Sequence, residues 1–271
     1  MTAPPPLTWL YAPGDRPHVV AKALTCGADV VVVDLEDAVA PDRKAYARDA
    51  TAELLGDPPP VPVHVRVNAL DSPWAEQDLG ALARAPGLSG LRLPKVTSAA
   101  GIAHIAHRTP AALYALLESA LAVEQACAIA MAHPNLRGIA LGEADLRADL
   151  GVRDDSGLDW SRSRVIVAAR AAGLPPPAQS VYPHVGDPEG LAASCARGRA
   201  LGFLGRAAIH PRQLPVIEQA YAPSAEEIEQ AEAVLKAAAT QQGAQALPDG
   251  RFVDAAVVTA ARRTLSLARR R

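Results

Sequence analysis

Aromatic residues are scarce in this chain: 4% of 271 residues, with three Trp, five Tyr and two Phe. The formal net charge is −2, and no basic stripe runs between aromatic side chains. A nucleic-acid partner is therefore not expected. Cysteine is also sparse. Cys26, Cys127 and Cys195 lie far apart and form no CxxC pattern. They read as buried or idle thiols in a reducing compartment, with neither a disulfide framework nor a thiolate metal site. No apolar run approaches the ~20 residues that span a bilayer. Met1 to Pro6 is Pro-rich and has neither the basic nor the apolar region of a signal peptide. The expectation is a cytoplasmic protein with no membrane contact. Phosphate and nucleophile motifs are missing too. No GxGxxG follows a candidate strand, no GxxxxGK[ST] occurs, and no GxSxG turn is present.

What is present is a core. Apolar residues make up 49% of the chain. Val30 to Val33 is a run of β-branched residues that leads straight into Asp34, Glu36 and Asp37. A continuous Val run suits a strand buried on both faces, as in a parallel sheet covered by helices. Carboxylates at its C-terminal end stand where parallel α/β folds bind ligands. The structural alternative is that they cap the next helix or pair with Arg43.

Other segments repeat the pattern. Candidate strands are Leu7–Ala12, the Val30 run, Val61–Asn68, Leu88–Leu93, Ala111–Leu117, Leu136–Leu141, a weaker Pro177–Tyr182, and Gly205–Ile209. Helical periodicity covers about His18–Thr25, Asp42–Leu55, Ser72–Arg84 and Ser98–Arg108. It returns over a long Ala-rich stretch, Ala120–His133, and over Trp160–Ala172 and Pro188–Leu201. Strand–helix alternation of this kind predicts a TIM-type (β/α)8 barrel over residues 1–215, with a doubly wound open sheet as the alternative. Residues 216–271 read as a helical extension that packs on the barrel or on a neighbouring subunit. Ser224 and Glu227 form a capping box. Pro248-Asp249-Gly250 makes a turn before a last helix, whose end is basic at Arg262, Arg263 and Arg269 to Arg271.

In a barrel the strand ends meet at one mouth. They would bring together Asp34, Glu36, Asp37, Arg66, Asn68, Lys95, Glu118, Glu143, Asp145 and His210. So many carboxylates repel one another unless a cation intervenes. Oxygen ligands favour Mg²⁺, which takes one or two carboxylates and leaves its other positions to water and substrate. Glu118 and Asp145 each end an apolar strand and are the first choice as metal ligands. His64 reads as core or rim. His104 and His107 read as surface residues, and Trp160 as packing.

The same residues resemble a known family. Tyr11-Ala12-Pro13-Gly14-Asp15-Arg16-Pro17, Asp34-Leu35-Glu36-Asp37-Ala38-Val39 and Arg66-Val67-Asn68 are similar to motifs of the citrate lyase β-subunit family. So are Leu93-Pro94-Lys95-Val96, Leu116-Leu117-Glu118-Ser119, Gly142-Glu143-Ala144-Asp145-Leu146, Ala208-Ile209-His210-Pro211 and Asp249-Gly250-Arg251-Phe252-Val253-Asp254. That family, with the malyl-CoA and citramalyl-CoA lyases, belongs to the HpcH/HpaI aldolase/citrate lyase superfamily.

The resemblance implies a barrel enzyme that cleaves or forms a C–C bond in a 3-hydroxyacyl thioester, on CoA or an acyl-carrier protein. It implies Mg²⁺, with Mn²⁺ possible, held by Glu118 and Asp145, and Arg66 as the substrate-binding arginine. By the same resemblance, Glu36 and Asp37 orient Arg66 and a metal-bound water. Pro13, Gly14, Arg16, Lys95, Arg206 and His210 belong to the substrate and CoA surface, and Asp254 is the candidate general acid/base. A homotrimer or hexamer is implied, as are partner subunits where citrate lyase itself is the template. Two departures stand out. Arg206 occupies a position where the family often has Lys, and Ala255-Ala256 follows the tail aspartate where many relatives have Pro. A thioester hydrolase or synthase, and a non-catalytic CoA-ester-binding barrel, are the alternatives.

Overall fold

The computed structural model of the chain describes residues 5–240, 245–246 and 252–268. The described chain divides into two compact units, Leu7–Ala220 and a C-terminal unit that starts at Tyr221.

The first unit is a curled parallel sheet wrapped by helices. Its elements are β1 (Thr8–Pro13), α1 (Pro17–Ala23), β2 (Val30–Asp34), α2 (Lys44–Leu54), β3 (Val63–Arg66), α3 (Ala75–Leu82), β4 (Leu88–Leu93) and α4 (Ala99–Ala106). They continue with β5 (Leu113–Leu117), α5 (Ala120–Glu124), α6 (Ala126–Ala130), β6 (Leu136–Leu141), α7 (Glu143–Leu150), α8 (Asp159–Ala171), α9 (Pro188–Leu201), β7 (Arg206–Ala208) and α10 (Leu214–Tyr221). The strand order is β6-β5-β4-β3-β2-β1-β7. Sequential order with the last strand returning beside the first is the winding of a barrel. A doubly wound sheet reverses its order at a switch point, so the open-sheet alternative is excluded. The fold is the TIM-type barrel expected from the sequence.

Val31, Val32 and Val33 are fully buried. Each such side chain contributes roughly 2 kcal/mol of apolar burial. Helix boundaries follow ordinary capping chemistry. In α9, the Asp187 side chain accepts a hydrogen bond from Gly190 N–H at 2.9 Å and Pro188 is the first helical residue. Gly202 closes the same helix at φ 108°.

Four expectations need correction. Pro177–Tyr182 is not a full strand: Gln179 alone makes a parallel bridge, to Arg206. Pro175, Pro176 and Pro177 lack N–H donors, so this segment cannot sustain a ladder. It still holds the eighth position beside β7, through Gln179 N–H to Gly205 O at 3.0 Å and Ala207 N–H to Gln179 O at 3.0 Å. Among the described residues no ladder joins it to β6. The Glu143 N–H to Ser180 Oγ contact at 3.3 Å spans that seam. The expected long helix Ala120–His133 is two short ones, broken at Gln125, whose ψ is 3°. Helices α7 and α10 had no sequence-based counterpart. Trp160 does not pack: it is 60% exposed.

The C-terminal unit contains α11 (Ala225–Thr240), β8 (Gln245–Ala246), β9 (Phe252–Val253) and α12 (Ala255–Ala268). The capping box forms as expected. Glu227 N–H donates to Ser224 Oγ at 3.1 Å, and Ser224 N–H donates to Glu227 Oε2 at 2.8 Å. Ala231, Val234, Val253 and Ala261 form the core between α11 and α12. The expected Pro248-Asp249-Gly250 turn and Arg269 to Arg271 lie outside the described residues.

Gly205 is a point where the backbone geometry is decisive. Its φ is 75°, and a Cβ there would lie 2.6 Å from Leu7 Cα. Gly205→Ala is expected to destabilise the barrel by at least ~1 kcal/mol, measured as a lower denaturation midpoint. An unchanged midpoint would refute the claim that β1 and β7 need this close approach.

Candidate active site

The C-terminal ends of the strands surround a cavity of about 450 Å³. Tyr11, Pro13, Asp34, Asp37, Arg66, Arg92, Glu118, Glu143 and Asp145 are among its lining residues. The predicted residues Pro13, Asp37, Arg66, Glu118 and Asp145 are therefore brought together. Glu36 and Lys95 stand directly behind them, in contact with Arg66 and Glu118.

Register explains the central contact. Asp34 and Arg66 are paired residues at the ends of β2 and β3. The pair is bidentate, Nε to Asp34 Oδ1 at 2.7 Å and Nη2 to Oδ2 at 2.6 Å. Nη1 donates to Asp37 Oδ2 at 3.1 Å. Glu36 Oε2 lies 3.0 Å from Nη1, a Coulombic contact whose angle does not make a hydrogen bond. Burial works to lower the Arg66 pKa, but the hydrogen bond and charge of Asp34 outweigh it and raise the pKa above its ordinary value. Asp34 also accepts the N–H groups of Glu36 and Ala38, at 3.0 and 3.1 Å. One aspartate thus shapes the loop and orients the arginine.

The loop is fastened from behind by Lys44, whose Nζ donates to Leu35 O and Glu36 O, both at 2.7 Å. Lys95 links the other side. Its Nζ donates to Glu36 Oε1 at 2.7 Å. Burial works to lower the Lys95 pKa, but the hydrogen bond and charge of Glu36 raise it above its ordinary value. Its backbone, at φ 53°, directs N–H to Glu118 Oε2 at 3.0 Å. Burial raises the Glu36 pKa from its ordinary value despite both cations.

Glu118 directly follows β5 and is 5% exposed. Among the described residues, Lys95 N–H is the one hydrogen-bond donor to its carboxylate. Burial, then the charge of Glu36, pushes its pKa up to about 7. Asp145 is in the first turn of α7, on a helix rather than in a strand-end loop. Among the described residues it has no hydrogen bond or ion pair. Glu143, two residues earlier, is taken up by Arg162 through Nε to Oε1 at 2.9 Å and Nη2 to Oε2 at 2.6 Å. Two carboxylates on one cavity without a cation is an arrangement that a hard divalent ion satisfies. Among the described residues there is no group of three or more His, Cys, Asp and Glu placed for a metal. Two protein carboxylates with water and substrate oxygens are what Mg²⁺ takes.

The other predicted residues have different settings. Gly14 is buried, and its N–H donates to Asp34 O at 2.9 Å. Arg16 is exposed at the start of α1. Arg206 is buried, with Nε donating to Ser180 O at 2.9 Å and Nη1 to Ser194 Oγ at 2.9 Å. His210 Nδ1 accepts Arg212 N–H at 3.1 Å and caps the turn Pro211–Gln213. Asp254 caps α12 through Ala256 and Val257 N–H, both at 2.9 Å. His64 is buried and stacked on Tyr114 at 4.4 Å, in the core as expected. His104 and His107 are exposed. Tyr11 and Arg92 were not singled out from the sequence. Arg92, within the apolar Leu88–Leu93 strand, was the available signal.

The chain matches the family described as HpcH/HpaI aldolase/citrate lyase over residues 7–211. The chain belongs to the HpcH/HpaI aldolase/citrate lyase family. Members of this family are lyases. Residues 176–265 also match the family described as C-C bond lyase of the TIM-barrel fold. A (3S)-malyl-CoA thioesterase of Cereibacter sphaeroides is 37% identical over 268 residues, 96% of this chain and 93% of the relative. The citrate lyase subunit beta of Leuconostoc mesenteroides subsp. cremoris is 34% identical over 281 residues, 96% and 92% of the two chains. A crystal structure of CitE from Mycobacterium tuberculosis, in complex with magnesium, acetoacetate and coenzyme A, superposes with a TM-score of 0.83. It is 36% identical, with 98% of each chain covered. Among the described residues of this family member, no helix is long and apolar enough to cross a membrane.

Glu118 gives the site a pH signature. Its folded pKa of about 7 exceeds the ordinary 4.5, so the metal-free fold binds an extra proton between those values. Stability contributed by that proton is present at low pH and is lost as pH rises through about 7. Glu118→Gln should raise the melting temperature of the metal-free protein at pH 8; no rise would sink the assignment of a buried, unneutralised Glu118. Gly142→Ala tests the same site sterically, because a Cβ there would meet Glu118 Cγ at 2.5 Å. Divalent-metal affinity should fall by about tenfold or more with circular dichroism unchanged. Unaltered affinity would mean that Glu118 is free to move.

Proposed function

We propose that this protein is a Mg²⁺-dependent carbon–carbon lyase. It cleaves a citryl-, citramalyl- or malyl-type 3-hydroxyacyl thioester, on CoA or an acyl-carrier protein, into an oxo acid and an acetyl thioester. The observation that carries the reading is the pair Glu118 and Asp145, both on one cavity with Arg66 and both without a cation partner among the described residues. The magnesium and coenzyme A bound to the Mycobacterium tuberculosis relative support a magnesium ion and a CoA thioester as what this chain takes.

In this reading Glu118 and Asp145 hold the metal. When bound, Mg²⁺ supplies Lewis acidity and a template for the hydroxyl and carboxylate oxygens of the oxo-acid half. Arg66 has five N–H donors, and three of them are spent on Asp34 and Asp37. The remaining two belong to a guanidinium that lines the cavity, and they stabilise negative charge as it develops on an oxygen of the substrate. Glu36, held by Lys95 and beside Arg66, orders the water and keeps the arginine in place. Cleavage removes the hydroxyl proton, turns the hydroxyl carbon into a carbonyl, and leaves the C–C bonding pair as a thioester enolate. Protonation of that carbon gives the acetyl thioester. Asp254, in the C-terminal unit, is the proposed proton carrier. Pro13, Gly14, Arg16, Lys95, Arg206 and His210 form the proposed substrate and thioester-carrier surface. A homotrimer or hexamer in the cytoplasm completes the proposal.

A thioester hydrolase is the second reading, favoured by the malyl-CoA thioesterase relative. One assay separates the two. Purified protein is given citramalyl-CoA, malyl-CoA and citryl-CoA in turn, with and without Mg²⁺, and both oxo acid and free thiol are measured. Oxo acid without free thiol, dependent on Mg²⁺ and lost in Glu118→Ala, is the expected result. Free thiol without oxo acid would establish the hydrolase instead. Asp254→Asn should lower kcat by about 100-fold while metal affinity stays the same. A normal kcat would remove Asp254 from the proton path.

A further inference from the structure

Every charge on the cavity wall except one is accounted for by a protein partner or by the metal reading. Asp34 and Asp37 are paired with Arg66, and Glu143 with Arg162. Glu118 and Asp145 are assigned to the metal. Arg92 remains. It lines the cavity, is 5% exposed, and its Nε has no hydrogen-bond partner. Among the described residues no carboxylate lies within ion-pair distance of it.

The surroundings hold the guanidinium without neutralising it. Arg92 pairs in register with Arg66 on one side and Tyr114 on the other. The rings of Tyr11 and Tyr114 each lie 5.9 Å from its guanidinium carbon. Burial, reinforced by the charge of Arg92, keeps His64 well below the usual His range, so that neighbour is a neutral imidazole at pH 7. Leu91 and Leu93, on either side along β4, are fully buried. An apolar residue would satisfy this strand better, because a buried charge with no partner is strongly destabilising. A charge kept there in spite of that cost marks a ligand, and its planar fork matches a carboxylate.

We propose that Arg92 is an anion anchor at the wall of the cavity, selecting acyl substrates whose oxo-acid half carries a second carboxylate. The substrate named in this proposal rests on the lyase reading; the anion anchor itself does not. Arg66 and the cation that Glu118 and Asp145 would hold bind the carboxylate next to the reacting carbon. Arg92 binds the carboxylate at the far end. A substrate lacking that group leaves Arg92 buried and unpaired, which weakens its binding.

The test is a titration series on wild type, Arg92→Met and Arg92→Lys. The Mg²⁺-loaded protein is titrated with oxaloacetate and with pyruvate; the metal-free protein is titrated with malonate and with acetate. The wild type should prefer each dicarboxylate to its monocarboxylate by about tenfold or more. Arg92→Met should abolish that preference while the monocarboxylate changes by no more than about twofold. Arg92→Lys should restore part of it. The melting temperature of unliganded Arg92→Met should equal or exceed that of the wild type. A preference that survives in Arg92→Met, or no preference in the wild type, would overturn the proposal. So would a lowered melting temperature with binding unchanged, which marks a structural residue or one satisfied by water. Arg92-dependent malonate binding without oxo-acid binding or turnover would uphold the anchor and remove the lyase reading. Turnover and preference both indifferent to Arg92 would do the reverse.

Discussion

The ion pair between Arg66 and Asp34 is the contact on which the rest of the mouth depends. Parallel pairing sets the two residues side by side at the ends of β2 and β3. Bidentate geometry then fixes the guanidinium plane. Asp34 also turns the following loop, so Glu36 and Asp37 arrive on the same cation. From Glu36 the connection passes to Lys95, and from the Lys95 backbone to Glu118 just after β5. A single chain of polar contacts thus spans four adjacent strands. Removing Arg66 would leave a cluster of carboxylates with Lys95 as the one cation in ion-pair contact with it among the described residues, which is why such buried pairs are costly to break from one side.

Much of this could be read from the residues themselves. Val30 to Val33 announced a strand buried on both faces, and the carboxylates after it announced the ligand end of a parallel sheet. Leu88–Leu93 and Leu136–Leu141 fall where their apolar runs begin and end. Pro188 to Leu201, with Asp before it and Gly after it, carries its own boundaries. Glu118 was visible because a lone carboxylate closed an otherwise apolar strand.

Other features were hidden for physical reasons. Asp145 was expected at a strand end, but a helix begins at Glu143 at once, with no intervening loop to mark it. The three prolines before Gln179 and the apolar residues after them gave conflicting signals, and the ladder shrank to one bridge. Gln125 broke an Ala-rich stretch that periodicity alone presented as continuous. Arg92 shows the limit most clearly. Within one strand a lone Arg is unremarkable by pattern; only the three-dimensional arrangement reveals that no acid faces it. Glu36 and Asp37 do stand beside Arg66 as expected, but its principal anchor, Asp34, was not named as its partner from the sequence.

Lys95 carries a consequence for how this site can change over time. Its left-handed backbone conformation, at φ 53°, is one that Gly or Asn adopts more readily than Lys. Its side chain meets a demand that neither of those residues fulfils, an ammonium on Glu36. Each replacement therefore satisfies one requirement by forfeiting the other. Gly would ease the main chain and strand a carboxylate, while Arg would keep the charge and the torsional cost together. The position is a crossing of two independent constraints, so neither of the residues that suit its main chain can enter without leaving Glu36 short of a cation.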